Sequence, residues 1–312
     1  MWTWPWWVFP LEARALPAPC ETVLTWRTRE SRPWSFPTTF SGKPPRPSRS
    51  PGVCQNCGSS NGSVVRELIL PRRGIPLETP EPVIVHHLFR PLLAELLNVL
   101  RSLSEAQWAA PTPCPAWSVH QLALHLLDVD VGQLSRERDG HRASMIEATG
   151  WDDLVSALNR KNEAWVNSAG GISPRLTSEL LEITGEEVAS HLSSLDPYSD
   201  GPEVSWAGPA STPMWLHIVK GSTERWHHQQ QIRQATGTKL LTGKEMFAPV
   251  LATFARAFPR TYEGVSASDG CTVKVAILGD AGTSWLLVFH DSAWTLYQDD
   301  ILCSPNSEIT ID

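Results

Sequence analysis

The 312-residue chain has no apolar run close to the length that spans a bilayer, which takes roughly 18–20 residues. That excludes a membrane-spanning helix. The start of the chain lacks the basic first segment of a secretory leader. Met1–Phe9 is rich in tryptophan, and Pro5 and Pro10 break it. Cysteine is sparse and scattered, at 20, 54, 57, 114, 271 and 303. Such a set is no disulfide framework and fits a reducing, cytoplasmic setting. Positive charge is short too: 26 Lys+Arg against 33 Asp+Glu leave a net −7, which argues against a nucleic-acid surface. No glycine-rich phosphate loop follows a predicted strand, and no Gly-x-Ser-x-Gly element occurs.

What is present divides near residue 80. Residues 1–80 hold 13 of the 26 prolines, and 10 Lys+Arg against 5 Asp+Glu, a net of +5; the remainder holds 16 against 28, a net of −12. Runs such as Lys43-Pro44-Pro45-Arg46-Pro47 remove backbone donors and restrict each preceding residue. A disordered extension is therefore expected over 1–80. Its Cys54-Gln55-Asn56-Cys57 is a single Cys-x-x-Cys without the second pair that a zinc site needs. The abrupt change in composition raises the hypothesis that 1–80 is upstream sequence read through; a native peptide from within it would refute that.

From residue 81 the pattern turns helical. Leu88, Leu92, Leu93, Leu96, Leu97 and Leu100 give an amphipathic period across Val83–Leu103. Ser118-x-x-Gln121 is a capping box opening a second helix to about Val131. Further helices are expected over Trp151–Asn167 and Ser173–Leu195. Thr212 and Pro213 read as N-cap and first helical residue of the next, with Gly237 as its stop. These segments predict a four-helix bundle over 81–240. Beyond it, Lys244–Phe258 reads as one more helix. Alternating runs at 272–277, 285–290, 294–297 and 309–311 predict a meander. Residues 241–312 form a small α+β domain, with no sequence left after the last strand for a closing helix.

Glu224 and His228 sit four apart in Glu224-Arg225-Trp226-His227-His228, which on a helix places them on one face, about 5–6 Å apart at Cβ. His217, Gly221, Gln231 and Ala235 continue that face. Such a stripe either faces water or lines a site inside the bundle. His125 shares an apolar face with Leu122 and Val129 and points inward, as a hydrogen-bonded core histidine or as a ligand. Two helices packed at about 8–10 Å can bring His125, Glu224 and His228 within metal-bonding reach. His217 can line the same cavity, and Asp128 can accept a hydrogen bond beside it. His120 faces elsewhere, His227 reads as a surface residue, and Cys114 as structural.

The stretch from Pro113-Cys114-Pro115-Ala116-Trp117-Ser118 to His125-Leu126 resembles the second-helix signature of the mycothiol-dependent maleylpyruvate isomerase family. Glu224-Arg225-Trp226-His227-His228 through Thr236-Gly237 resembles its fourth-helix signature. The resemblance covers about 81–312. It implies a DinB-like metal-binding four-helix bundle followed by a small sterol-carrier-like α+β domain. By position it puts the metal ligands, for Zn2+, on His125, Glu224 and His228. It implies mycothiol as cosubstrate: metal coordination deprotonates the thiol, and the thiolate adds to the cis double bond of maleylpyruvate, permits rotation, and leaves to give fumarylpyruvate. The partners so implied are a small-molecule thiol and a small organic acid or electrophile, with no nucleic acid or membrane, for a monomer or homodimer. Two departures stand out. Gln231 replaces the family's usual Asp, and no position in this chain matches its catalytic arginine or its final basic helix. A non-catalytic metal-binding bundle is the competing class, in which His217 or Asp128 would close the metal shell. A metal-free bundle is the third, in which His125 and Glu224 would not converge.

Overall fold

The computed structural model describes residues 23–25, 77–114, 116–141, 149–202, 204, 212–299 and 305–312. The expectations for Cys54, Cys57 and most of the proline-rich extension lie outside these. The exception is strand β1, Val23–Thr25, which lies at one edge of the small domain's sheet. It falls within a proline-free stretch of the extension, and two of its three residues are β-branched, so backbone donors and a strand-forming triplet coincide there.

A 3-10 turn, His86–Leu88, leads into α1, Phe89–Ser102, with Pro91 in its first turn, where a missing donor costs nothing. The one-turn α2, Glu105–Trp108, follows. Helix α3, Val119–Gln133, opens on the expected box: Ser118 Oγ accepts from the Gln121 backbone, and Gln121 Oε1 accepts from Ser118 N at 2.9 Å. A π-helical turn, Leu134–Arg138, ends it. Helices α4, Trp151–Ser168, and α5, Pro174–Ser193, come next. Short strands β2, Asp200–Gly201, and β3, Thr212–Pro213, pair antiparallel ahead of α6, Met214–Thr236.

The start of α6 differs from the sequence expectation by one residue. Pro213 is the N-cap, and Thr212 turns its hydroxyl to Pro202 O at 2.8 Å instead of capping the helix, because the β2–β3 pair claims its backbone. At the other end Gly237 adopts φ +67, the left-handed stop that glycine takes without steric cost.

Helices α5 and α6 each pack against both α1 and α3, so the four form the expected bundle with α1 and α3 on one diagonal. Helix α4 lies outside it, against α3. Leu122, Leu124, Val188, Leu192 and Ile232 are fully buried in the interior.

Helices α7, Lys244–Ala255, and α8, Phe258–Thr261, precede the sheet formed by β4, Thr272–Ile277, β5, Thr283–His290, β6, Ala293–Gln298, and β7, Ser307–Ile311. A tight turn joins β5 to β6 through Asp291 and Ser292, both at positive φ, as a two-residue hairpin loop of the right twist requires. The sheet order is β1-β7-β4-β5-β6. Thus β7 does not extend the meander. It crosses back to lie parallel to β4, because β4 offers the free inner edge. The sheet needs no closing helix on one face: Leu251, Ala255, Phe258 and Tyr262 of the preceding helical segment cover Val273, Val275, Trp285 and Leu287.

The two domains meet along α6. Trp226 stacks on Phe247 at 4.9 Å and 11°, and its indole donates to Leu241 O at 2.9 Å. Arg256 donates to Pro80 O at 2.8 Å and lies over the Trp215 ring.

Candidate metal centre

The loop before α3 sets the first side chain. Thr112 donates its hydroxyl to Trp117 O at 2.8 Å, and Pro111 bridges Ser118, folding the loop back on itself. Trp117 is thereby buried. Its ring lies 5.1 Å from that of His125 at 27°, a stacked pair that fixes the imidazole's plane. The capping box sets the phase of α3, and His125, about two turns in, reaches the interior at 2% exposure.

Helix α6 supplies the other two. His125 Nε2 lies 3.8 Å from Glu224 Oε1, and the His125 and His228 rings are 5.1 Å apart, edge to face. One donor atom from each of His125, Glu224 and His228 lies within 4.8 Å of the other two. The third class, a bundle in which these residues do not meet, is thereby set aside.

Gln231 lies one turn beyond His228, and its Oε1 is 2.8 Å from His228 Nδ1. A carboxamide oxygen only accepts, so Nδ1 carries the proton and Nε2 carries the lone pair. The bond therefore selects the tautomer that can bind a metal through Nε2.

Electrostatics follow the same arrangement. Burial pushes the Glu224 carboxyl up, but the nearby His125, with His228 and Lys220, outweighs it and brings the pKa down to about 2. Burial holds His228 well below the usual imidazole range, helped by His125 and His227. The site presents a carboxylate beside a neutral imidazole, the protonation states that metal ligation uses.

The remaining expected residues fall apart from this cluster. His217 lies seven residues before Glu224, about 10 Å along the axis. It meets Glu137 at 3.0 Å on the π-helical turn. Asp128 accepts from Lys161 of α4 at 3.0 Å. Neither belongs to the triad, and among the described residues no fourth His, Cys, Asp or Glu joins it. His120 points away as expected, toward Thr177 at 3.3 Å. His227 corrects its surface reading. It is half-buried with its ring 5.3 Å from His228, and burial lowers its pKa to about 4. Cys114 is buried, which pushes its thiol up and fits a structural role.

Several residues around the centre went unnoticed in the sequence. Asp130 accepts from Arg225 at 2.7 Å and from Thr184 at 3.0 Å, an almost fully buried pair immediately behind Glu224. The signal for it was a pair of aspartates inside the otherwise apolar Leu122–Val131. Lys220, four residues before Glu224, was signalled by spacing alone.

A helical bundle with a His–Glu–His cluster in its interior defines the class. Residues 89–233 match the family described as the mycothiol maleylpyruvate isomerase N-terminal domain. The match runs from the start of α1 to near the end of α6. Two solved structures are similar to the chain, one of the mycothiol-dependent maleylpyruvate isomerase and one of a His-to-Ala variant of it. Each is 13% identical and covers 72% of this chain and 81% of its own, with TM-scores of 0.41 and 0.42. No curated protein matches the chain. Among the described residues no helix is long and apolar enough to cross a membrane.

Proposed function

We propose that the protein is a zinc-dependent enzyme that uses mycothiol to isomerise, or transfer the thiol to, a small unsaturated organic acid. His125, Glu224 and His228 are its metal ligands. The observation that carries this reading is the convergence of three donors from two helices, with no fourth protein donor beside them among the described residues. The fit is chemical and geometric. Two imidazoles and a carboxylate are a usual donor set for catalytic zinc. Tetrahedral bonds of about 2.0–2.2 Å put donors roughly 3.3–3.6 Å apart. The 3.8 Å between His125 Nε2 and Glu224 Oε1 is within a small side-chain adjustment of that. Bound there, zinc supplies a Lewis acid that deprotonates a thiol.

The chain's own residues do the rest. Gln231 orients His228, Trp117 orients His125, and the buried walls of α3 and α6 exclude bulk water. The match of residues 89–233 to the mycothiol maleylpyruvate isomerase N-terminal domain supports mycothiol as the thiol. A cytoplasmic monomer or homodimer accords with this reading.

The test is metal analysis of protein purified without a histidine tag, together with Glu224→Ala and His228→Ala. Near one zinc per parent chain and little in either variant is expected. A parent that takes up no zinc after reconstitution refutes the site. A zinc-loaded parent that does not bind a thiol favours the non-catalytic bundle.

A further inference from the structure

A continuous chain of side-chain hydrogen bonds joins α3 to α6. It begins at Thr184 of α5, which donates to Asp130 Oδ2 at 3.0 Å. One terminal nitrogen of Arg225 donates to Asp130 Oδ1 at 2.7 Å and to Gln133 Oε1 at 3.1 Å, and the other donates to Gly221 O at 3.0 Å. Gln133 donates in turn to Glu137 at 3.0 Å, and Glu137 meets His217, also at 3.0 Å. From His125 to Glu137 along α3, the partners run back along α6 from Glu224 to His217. The two helices are therefore antiparallel, with this polar seam between them. The Asp130–Arg225 pair is its buried part, with side chains 5% and 12% exposed. Gly221 leaves the guanidinium its place, since a Cβ there would lie 3.3 Å from Nη1.

A buried ion pair adds little stability over an apolar pair of the same shape, and its best-attested use is to fix register. We infer that the Asp130–Arg225 pair positions the candidate metal centre, holding α6 against α3 so that Glu224, the residue before Arg225, meets His125. This rests on the proposed metal site and adds what aligns the two helices that supply its ligands. Neither residue is a ligand. A rotation of α6 by about 10° moves a side-chain tip at the helix rim by about 1 Å. Metal bonds tolerate only about 0.2 Å, so an interaction that stops such a rotation decides how well the three donors fit.

The test reads zinc affinity by chelator competition and the visible spectrum of cobalt-substituted protein, which reports the geometry of the ligands. Asp130→Leu/Arg225→Met replaces the ion pair with apolar side chains of similar volume, so the metal-free fold should melt near the parent. Its zinc affinity is expected to fall about tenfold, and its cobalt bands to shift. Arg225→Lys keeps the charge, but one ammonium cannot hold Asp130, Gln133 and Gly221 O together. It should lose zinc affinity several-fold, and it decides the outcome where the double variant does not fold. Asp128→Asn is the control: it removes a carboxylate from the same helix as His125, one bonded to Lys161 of α4 and not to α6. It should match the parent in both readouts. Parental affinity and spectrum in the folded double variant, or in Arg225→Lys where the double variant does not fold, overturn the inference and leave the metal site standing. An equal loss in Asp128→Asn also overturns it, because charge and not position then accounts for the effect. A parent that binds neither zinc nor cobalt overturns the metal site as well.

Discussion

Replacing Gln231 with leucine should weaken the metal centre without touching a ligand. The side chain is buried, and its oxygen makes the 2.8 Å bond to His228 Nδ1. Leucine is similar in size and apolar, so the pocket stays filled while the acceptor disappears. Two costs follow. The orphaned N–H should cost the metal-free fold about 1–3 kcal/mol. The imidazole can also take the other tautomer, whose protonated Nε2 cannot ligate. Loss of such a supporting bond lowers metal affinity by about 10–100-fold, or roughly 1.4–2.7 kcal/mol. Competition for zinc against a chromogenic chelator at neutral pH measures this directly, and thermal unfolding of chelator-treated protein measures the first cost. Gln231→Asp should move the other way, because an ionised acceptor raises the basicity of Nε2. The expected ranking of affinity is Asp, then Gln, then Leu. A folded Gln231→Leu protein that holds zinc as tightly as the parent would refute the tautomer argument.

The metal-free protein should lose stability as pH falls from about 6.5 toward 4. His227, with its pKa lowered to about 4, and His228, lowered further, bind fewer protons folded than unfolded in that window. Stability therefore rises with pH there, and His227 alone accounts for at most about 3 kcal/mol; urea unfolding at pH 7 and pH 4.5 checks it, and His227→Gln should flatten the curve. Asp130→Ala should leave the Arg225 guanidinium buried without its carboxylate, at about 3–5 kcal/mol. Differential scanning calorimetry would show the fall in melting temperature, and a change below about 1 °C would contradict the pairing.

Local signals in the sequence were legible wherever backbone chemistry alone decides the outcome. Ser118 and Gln121 form their reciprocal cap, and Gly237 takes the left-handed stop, because each satisfies groups within a few residues of itself. The convergence of His125 with Glu224 and His228 was accessible because helical phase fixes which residues share a face. What escaped depended on distant partners. Asp128 could only be placed by Lys161, and Asp130 by Arg225. His217 was drawn off by Glu137 because a π-helical turn re-aims the end of α3, which no periodicity argument anticipates. Likewise, an alternating run such as Ser307–Ile311 is equally suited to either edge of a sheet. Its choice of β4 is settled by pairing, not by pattern.

Helix α6 has the centre on one flank and the seam between domains on another. Glu224 and His228 bracket Trp226, which stacks on Phe247 and donates to Leu241 O. Gln230, two residues past His228, also bonds Leu241 O. The helix is therefore a shared axle: a rotation of α6 at that seam must turn Glu224 and His228 by the same angle. Mutations along that seam can shift the His125–Glu224–His228 cluster at a distance, while its three residues stay as they are.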